Sequence, residues 1–337
     1  MEAAEEHARI GRAYRRFAEE EARGRSPLYE ALAQGVAADP EVLAFLAGLP
    51  AEKRQPNLLL AAVRRLFGTA ADYRDFRGRI LENSAAVRSL MLARSTQTNE
   101  PGRCATLLPI LGMLPQPLAL LEVGASAGLC LLPDCYGYNY GGERVLAQPN
   151  GAAGPIFPCE VDDSTPLPSE LPQVVWRAGL DVAPIDLADP EQVAWLEALV
   201  WPEETERLAR LRGAIEIARV QKPPVVKGDL LRDLSALAAK APTDATLVVF
   251  HTAVLVYVRS QSERAEFACS VRSVCDFWLA NEAPGVFPEI AKGADQPGST
   301  GRYLMAVNES PVAWADFHGA RISWIGDPPG PYPERHR

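Results

Sequence analysis

The sequence predicts an α/β protein built on a doubly wound, mainly parallel sheet that is preceded by an all-helical region. Three observations carry this. Residues 1–115 place apolar side chains at helical spacing and contain no convincing period-2 strand. An apolar run, Leu118 to Leu121, then ends in Glu122 and a small-residue turn, Gly124-Ala-Ser-Ala-Gly128. From Val174 onward, short apolar runs alternate with amphipathic stretches, the mark of successive strand–helix units. The expected division is a helical cap over 1–115 and a sheet domain over 116–337, with a surface insertion at about 133–173.

Composition narrows the class. At 47% hydrophobic and 23% charged, the chain has the make-up of a soluble globular protein. Its 337 residues suffice for a large core without disulfide or metal staples. The formal net charge is -9, with Lys and Arg scattered among acids, so the basic stripe of a nucleic-acid groove is missing. Cys104, Cys130, Cys135, Cys159, Cys269 and Cys275 form no Cys-x-x-Cys pair and the histidines are dispersed, so no metal site is expected. The start, Met1-Glu-Ala-Ala-Glu-Glu6, is acidic where a signal peptide would be basic, and no run reaches roughly 18 apolar residues. A reduced, cytoplasmic protein is expected, with neither membrane nor nucleic acid as partner.

In the helical region Ile10, Tyr14 and Phe17 share one helical face. Ser26-Pro27 and Asp39-Pro40 each read as an N-cap with proline at the first helical position. Val42, Leu43, Phe45, Leu46 and Leu49 form a stripe that stops at Pro50, and Leu58 to Phe67 follow Pro56-Asn57 and end at Gly68. The polar stretch Arg94 to Arg103 then feeds a helix from near Pro101 to about Leu114. In an α/β unit that stretch lies by the carboxyl ends of the strands, so Gln97, Thr98, Asn99 and Arg103 are candidate ligand contacts. Thr98 or Asn99 can equally be a helix cap.

The turn after Leu118–Glu122 reads as a buried strand, a tight glycine turn and the opening of a helix. Gly124 and Gly128 would allow a ligand close to the backbone, with Ala125 and Ser126 between them presenting amides. Glu122 suits a ligand amine or hydroxyl. Three readings stand at this point: the acidic-x-Gly-x-x-x-Gly turn of S-adenosylmethionine-dependent methyltransferases, a Gly-x-Ser-x-Gly nucleophile elbow with Ser126 as nucleophile, or glycines that only permit close packing.

Beyond the turn, Tyr136, Tyr138 and Tyr140 alternate toward Gly141-Gly142, an extended hairpin edge, and Tyr136 is a candidate ligand contact. Val174 to Asp181 is a strand ending in an acid. Asp189-Pro-Glu-Gln192 is a capping box before a helix through Val193 and Leu196. Another helix carries Leu208, Leu211 and Ile215. Val225 to Asp229 is a strand ending in Gly-Asp, followed by a helix through Leu230, Leu234 and Leu237. Thr246 to His251 is an apolar strand that ends in His251, a helix runs from about Ser262 to Val274, and Phe277-Trp-Leu279 is a further strand. Tyr303–Val307 and Arg321–Ile325 are expected as a closing antiparallel pair around His318-Gly319.

The order of acids bears on the choice. The methyltransferase pattern needs a glycine turn after its first strand and acids after its second and third, supplied here by Gly124–Gly128, Asp181 and Asp229. Asp181 would accept from both ribose hydroxyls, Asp229 from the adenine amino group, and the Leu230 amide would face a ring nitrogen. His251, ending the fourth strand, is the candidate general base. The hydrolase reading has Ser126, Asp229 and His251 or His318 in a permitted order, but only helix lies upstream of the turn.

Arg94-x-Thr-Gln-Thr-Asn-Glu100, Leu121-Glu-Val-Gly-Ala-Ser-Ala-Gly-Leu129, Trp195-Leu with Val200-Trp-Pro202, and His318-Gly-x-x-x-x-Trp324 together resemble an uncharacterised bacterial family, over nearly the whole chain. The resemblance implies a Rossmann-type, methyltransferase-like core and supplies no substrate; with the glycine turn and the acids it makes S-adenosylmethionine the expected cofactor, and the helical cap and acidic balance favour a small-molecule acceptor over nucleic acid. A non-enzymatic nucleoside-binding module is the alternative outside enzymes. Cys130 stands where Asn is usual in that family, and Pro133-Asp-Cys135 where Asp-Arg-Tyr is usual.

Overall fold

A computed structural model describes residues 2–97, 99–142, 144–148, 154–258, 260–294 and 301–332. The chain divides into a helical unit, Met1–Thr98 with Ala188–Ala209, and a sheet unit, Asn99–Leu187 with Arg210–Arg337. This differs from a boundary at 115/116: the helix before the first strand goes with the sheet, and one later helix goes with the helical unit.

The helical unit holds α1 (Glu2–Arg16), α2 (Pro27–Ala38), α3 (Pro40–Ala47), α4 (Pro56–Phe67), α5 (Tyr73–Glu82), α6 (Ser84–Ala93) and α8 (Pro190–Leu199). The starts of α2, α3, α4 and α8 are the ones the sequence marks. Ser26 Oγ accepts from Tyr29 N at 3.0 Å, Asp39 from Glu41 N and Val42 N, and Asp189 from Glu191 N at 2.8 Å. Proline stands in the first turn of α2, α3, α4 and α8, where its missing N–H costs nothing. The apolar faces close on one core that includes Tyr14, Phe17, Leu46, Leu59, Trp195 and Trp201.

The sheet unit begins with α7 (Cys104–Met113) and β1 (Leu118–Val123); among the described residues no strand precedes β1. Next come β2 (Gly137–Asn139), β3 (Val145–Leu146), β4 (Ile156–Pro158), β5 (Glu160–Val161) and β6 (Val174–Asp181). After α9 (Thr205–Gln221), which crosses from one unit to the other, lie β7 (Val225–Lys227), α10 (Leu234–Ala238), β8 (Thr246–Thr252), α11 (Gln261–Val274), β9 (Phe277–Glu282), α12 (Pro288–Ala291), β10 (Arg302–Val307), β11 (Ser310–Asp316) and β12 (Arg321–Trp324). Among the described residues the main sheet has the order β5-β12-β11-β10-β9-β8-β1-β6-β7. Strands β7, β6, β1, β8 and β9 are mutually parallel, and β10, β11 and β12 continue antiparallel. The fold is thus mixed α/β with a largely parallel central sheet. The chain winds outward from β1 through β6 to β7, then returns to the other side of β1 at β8, so the winding reverses between β1 and β8. No described helix is long and apolar enough to cross a membrane.

Segment 133–173 supplies a second small sheet, β3-β2-β4, and the edge strand β5. The expected tyrosine hairpin is there: β2 turns through Gly141 and Gly142, both at positive φ, into antiparallel β3.

Two expectations need correction. Tyr303–Val307 and Arg321–Ile325 do not pair directly, because β11 lies between their strands. The turn into β11 is Asn308-Glu309, both residues at positive φ (47° and 67°), a two-residue hairpin made without the glycine that usually announces one. The helix expected after the glycine turn is also absent. Leu129–Leu131 and Pro133–Cys135 form single 3₁₀ turns. Only four residues separate Gly128 from Pro133, which offers no N–H and bars its predecessor from helical geometry.

Candidate functional site

The glycine turn is closed by the protein's own groups. Gly124, Ser126 and Gly128 all have positive φ (73°, 50° and 70°). A Cβ on Gly124 would overlap the Val254 side chain, and one on Gly128 would stand 3.0 Å from Val225 Cγ2. The glycines therefore serve close packing on β7 and on the segment after β8, and a substitution at Gly128 tests the fold as well as any ligand. Ala125 is buried and faces Gly179 of β6. Asp181 organises the turn: its Oδ2 accepts from Ser126 N at 2.7 Å and its Oδ1 from Ala183 N at 2.8 Å. Each carboxylate oxygen keeps further acceptor capacity.

The second holder of the turn is Asn99. Its Nδ2 donates to Ser126 Oγ (3.0 Å), and Ala127 N donates to its Oδ1 (2.9 Å). Four residues on, Arg103 reaches the other side of β1. Its Nη1 donates to the carbonyl and Oγ1 of Thr252 (both 3.1 Å), and its Nε to the Phe317 carbonyl (2.9 Å). The guanidinium also lies over the Tyr303 ring at 5.8 Å. Glu100 accepts from Gly102 N at 3.0 Å, and its other oxygen lies 3.5 Å from His318 Nδ1. Asn99–Arg103 thus links the turn, the end of β8 and the loop between β11 and β12. Of the other two residues expected from this stretch, Gln97 is half-buried within the helical unit, and Thr98 lies outside the described residues.

Strand alternation sorts the edge into two faces. Glu122 pairs with Phe250, and Thr252 with Asn281, so Glu122, Thr252 and Asn281 share one face at the carboxyl ends of β1, β8 and β9. Glu122 is buried, its Oε2 has no hydrogen-bond partner, and desolvation pushes its carboxyl well above the usual range. The nearby Arg103 charge opposes that shift without cancelling it. Asn281 is fully buried, and neither amide atom has a partner.

The opposite face carries His251, fully buried and edge-on to Phe267 of α11. Trp278 Nε1 donates to its Nε2 at 2.9 Å, which leaves the ring proton on Nδ1, 2.7 Å from Glu282 Oε1. That same oxygen accepts from Val254 N and Leu255 N at 2.8 and 3.0 Å. Both imidazole nitrogens are therefore engaged inside the protein, and neither is turned toward the Glu122 face. The general-base expectation for His251 finds no geometric support here, since a base needs a nitrogen within reach of a substrate proton.

The remaining expected residues each make contacts inside the protein. Tyr136 is fully buried and donates to the Leu129 carbonyl at 2.8 Å. Asp229 accepts from Leu231 N at 2.9 Å, just past the end of β7, and Leu230 is half-buried against the sheet core. Asn281 and Glu282 escape sequence reading because the apolar run that marks β9 ends at Ala280 before them, and Thr252 because His251 already closes the apolar run of β8. The signal for them is a polar residue closing an apolar strand at the carboxyl end, the same signal that singles out Glu122. Among the described residues no three His, Cys, Asp or Glu side chains are grouped to hold a metal ion.

No curated protein matches the chain significantly. A solved structure from Bordetella parapertussis, described as a possible exported protein, aligns at 11% identity over 85% of this chain and 74% of its own, with a TM-score of 0.29. A likeness at that level carries no argument. The family model described as "Uncharacterized protein conserved in bacteria (DUF2332)" matches residues 11–324, and the chain belongs to that family.

Proposed function

We propose that the sheet unit is a Rossmann-type core that binds S-adenosylmethionine along the carboxyl ends of β7, β6 and β1, and that the protein methylates a small molecule. One observation carries the reading: the strand order β7-β6-β1-β8-β9, third-second-first-fourth-fifth in the parallel set, with an acid at or just past the end of each of the first three. Glu122, Asp181 and Asp229 thereby lie at one sheet edge, beside the point where the winding reverses, the usual ligand position in such sheets. The donor set suits an adenosyl ligand. Asp181 and Asp229 are partly exposed carboxylates with spare lone pairs for ribose hydroxyls and an exocyclic amine.

The ligand would supply an electrophilic methyl on sulfur. The chain's own residues orient the partners: Asp181 and Asn99 hold the turn rigid, and Arg103 ties the neighbouring strand end to the loop after β11. Positioning of this kind provides most of what methyl transfer needs, so no base at His251 is invoked.

The hydrolase reading has one observation in its favour, the left-handed φ of 50° at Ser126 within Gly-x-Ser-x-Gly. Against it, Ser126 Oγ bonds Asn99, while His251 and His318 associate with Glu282 and Glu100.

Titration calorimetry with S-adenosylmethionine tests the proposal. Saturable binding is expected, and Asp229→Ala should weaken it by about tenfold, one charge-assisted hydrogen bond. Absence of saturable binding to the wild type would sink it.

A further inference from the structure

We infer that the methyl acceptor carries a carboxylate with a neighbouring O–H or N–H, and that this group is received between Arg103 and Asn281. That this molecule is the methyl acceptor rests on the proposed methyltransferase reading; its carboxylate is recognised by Arg103 and Asn281 whichever reaction follows.

Asn281 closes β9, is fully buried, and has neither its Nδ2 nor its Oδ1 hydrogen-bonded. A buried amide with both halves unmatched is costly, and native structures keep such a group where something else supplies its partners. Its register partner is Thr252, whose Oγ1 and carbonyl hold Arg103 Nη1 at 3.1 Å. Arg103 is only 4% exposed, yet among the described residues no carboxylate lies within ion-pairing distance of it. Its bonds go to neutral oxygens of Thr252 and Phe317, which satisfy N–H groups and leave the charge unbalanced. Glu122 lies on the same face, but its Oε2 has no hydrogen-bond partner, so that atom does not bond the guanidinium.

Thr252 and Phe317 take the Nε and Nη1 hydrogens and leave Nη2 as the donor from which a carboxylate oxygen can accept, with a further bond from Asn281 Nδ2. Asn281 Oδ1 then requires a donor on the same molecule, which a hydroxyl or N–H beside the carboxylate provides. Position separates this group from the nucleoside. Asp181 and Asp229 lie on the β6–β7 side of β1, whereas Thr252 and Asn281 lie on its β8–β9 side. A nucleoside on the first side leaves the second for the acceptor.

The experiment follows the Asn281 side-chain amide resonance of the full chain during titration with lactate and with lactamide. Lactate is expected to move it saturably and lactamide to leave it in place. Asn281→Leu replaces the unpaired amide with an apolar group of similar size, so its unfolding midpoint should match wild type. Calorimetry should show its lactate affinity falling by about tenfold or more and its S-adenosylhomocysteine affinity staying within about twofold. Arg103→Lys, which keeps the charge and loses the Nη2 donor, should show the same split should Asn281→Leu fail to fold. Equal response to lactamide, no response to lactate, or unchanged lactate affinity in both variants overturns the inference. A parallel loss of S-adenosylhomocysteine overturns it too, by assigning the carboxylate to the nucleoside ligand. Lactate binding in a wild type that takes no S-adenosylhomocysteine would leave the anion site standing and remove the methyltransferase reading.

Discussion

On the α11 side of the sheet edge, His251 has both ring nitrogens bonded and Glu282 Oε1 gathers three donors. On the other side, a few residues along the same strands, Asn281 has no partner for either amide atom and Glu122 Oε2 has none either. Both faces are buried, so exposure does not distinguish them. What differs is degree: in the His251–Glu282 pair Glu282 Oε2 lacks a partner while both ring nitrogens and Oε1 are bonded, whereas Asn281 lacks a partner on both atoms. A largely satisfied network rigidifies the strand ends, and a group with no bonds at all is poised to gain from a ligand. The residue that looks most catalytic in the sequence, a histidine at a strand end, sits on the structural face, while an asparagine with no motif around it sits on the receptive one.

The comparison breaks most visibly at Glu282. Replacing it with Ala strands the His251 Nδ1 proton and two backbone N–H groups, so a loss of about 3–5 kcal/mol is expected in urea unfolding. A stability change under about 1 kcal/mol would show that this face is not the structural one. His251→Ala should likewise lose stability, whereas a base at this position would lose turnover and keep its fold.

Asp181→Ala comes next. It removes the acceptor for Ser126 N and Ala183 N, and about 1–3 kcal/mol should be lost by the same measurement. Adenosyl binding should fall with it, because the turn loses its anchor. Retained turn geometry in a spectrum of the variant would assign that anchoring to Asn99 alone.

Glu122 sharpens the contrast through pH. Its folded-state value is raised by desolvation, so its contribution to stability is complete below the ordinary glutamate value of 4.5 and is lost as pH rises toward the folded value. Between those two points the folded state holds more protons than the unfolded one, and stability falls as pH rises. Glu122→Gln keeps the neutral shape and should flatten that slope. An unchanged slope in the variant would place the titration elsewhere.

The smallest effect is expected at Ser126. Ser126→Ala removes one bond from Asn99 Nδ2, about 1 kcal/mol at most, and wild-type Ser126 should not react with a fluorophosphonate. Covalent labelling there, found by peptide mass spectrometry, would restore the hydrolase reading.

Local chemistry determined much of this protein. Ser26, Asp39 and Asp189 cap the helices they precede, because an N-cap needs only its own side chain and the next few amides. Apolar runs of strand length located β1 and β8, since burial of a parallel strand on both faces is written in consecutive residues, and shorter β-branched runs located β6 and β7. Other features depend on groups far apart in the chain. The glycine turn reads as a ligand cradle until Val254 and Val225 are seen packed on it. His251 reads as a base until Trp278 and Glu282, 27 and 31 residues later, take both its nitrogens. Asn281 is silent in the sequence because its lack of partners is a property of everything around it. Hydrogen-bond satisfaction belongs to a site, not to a residue, and only the tertiary structure decides it.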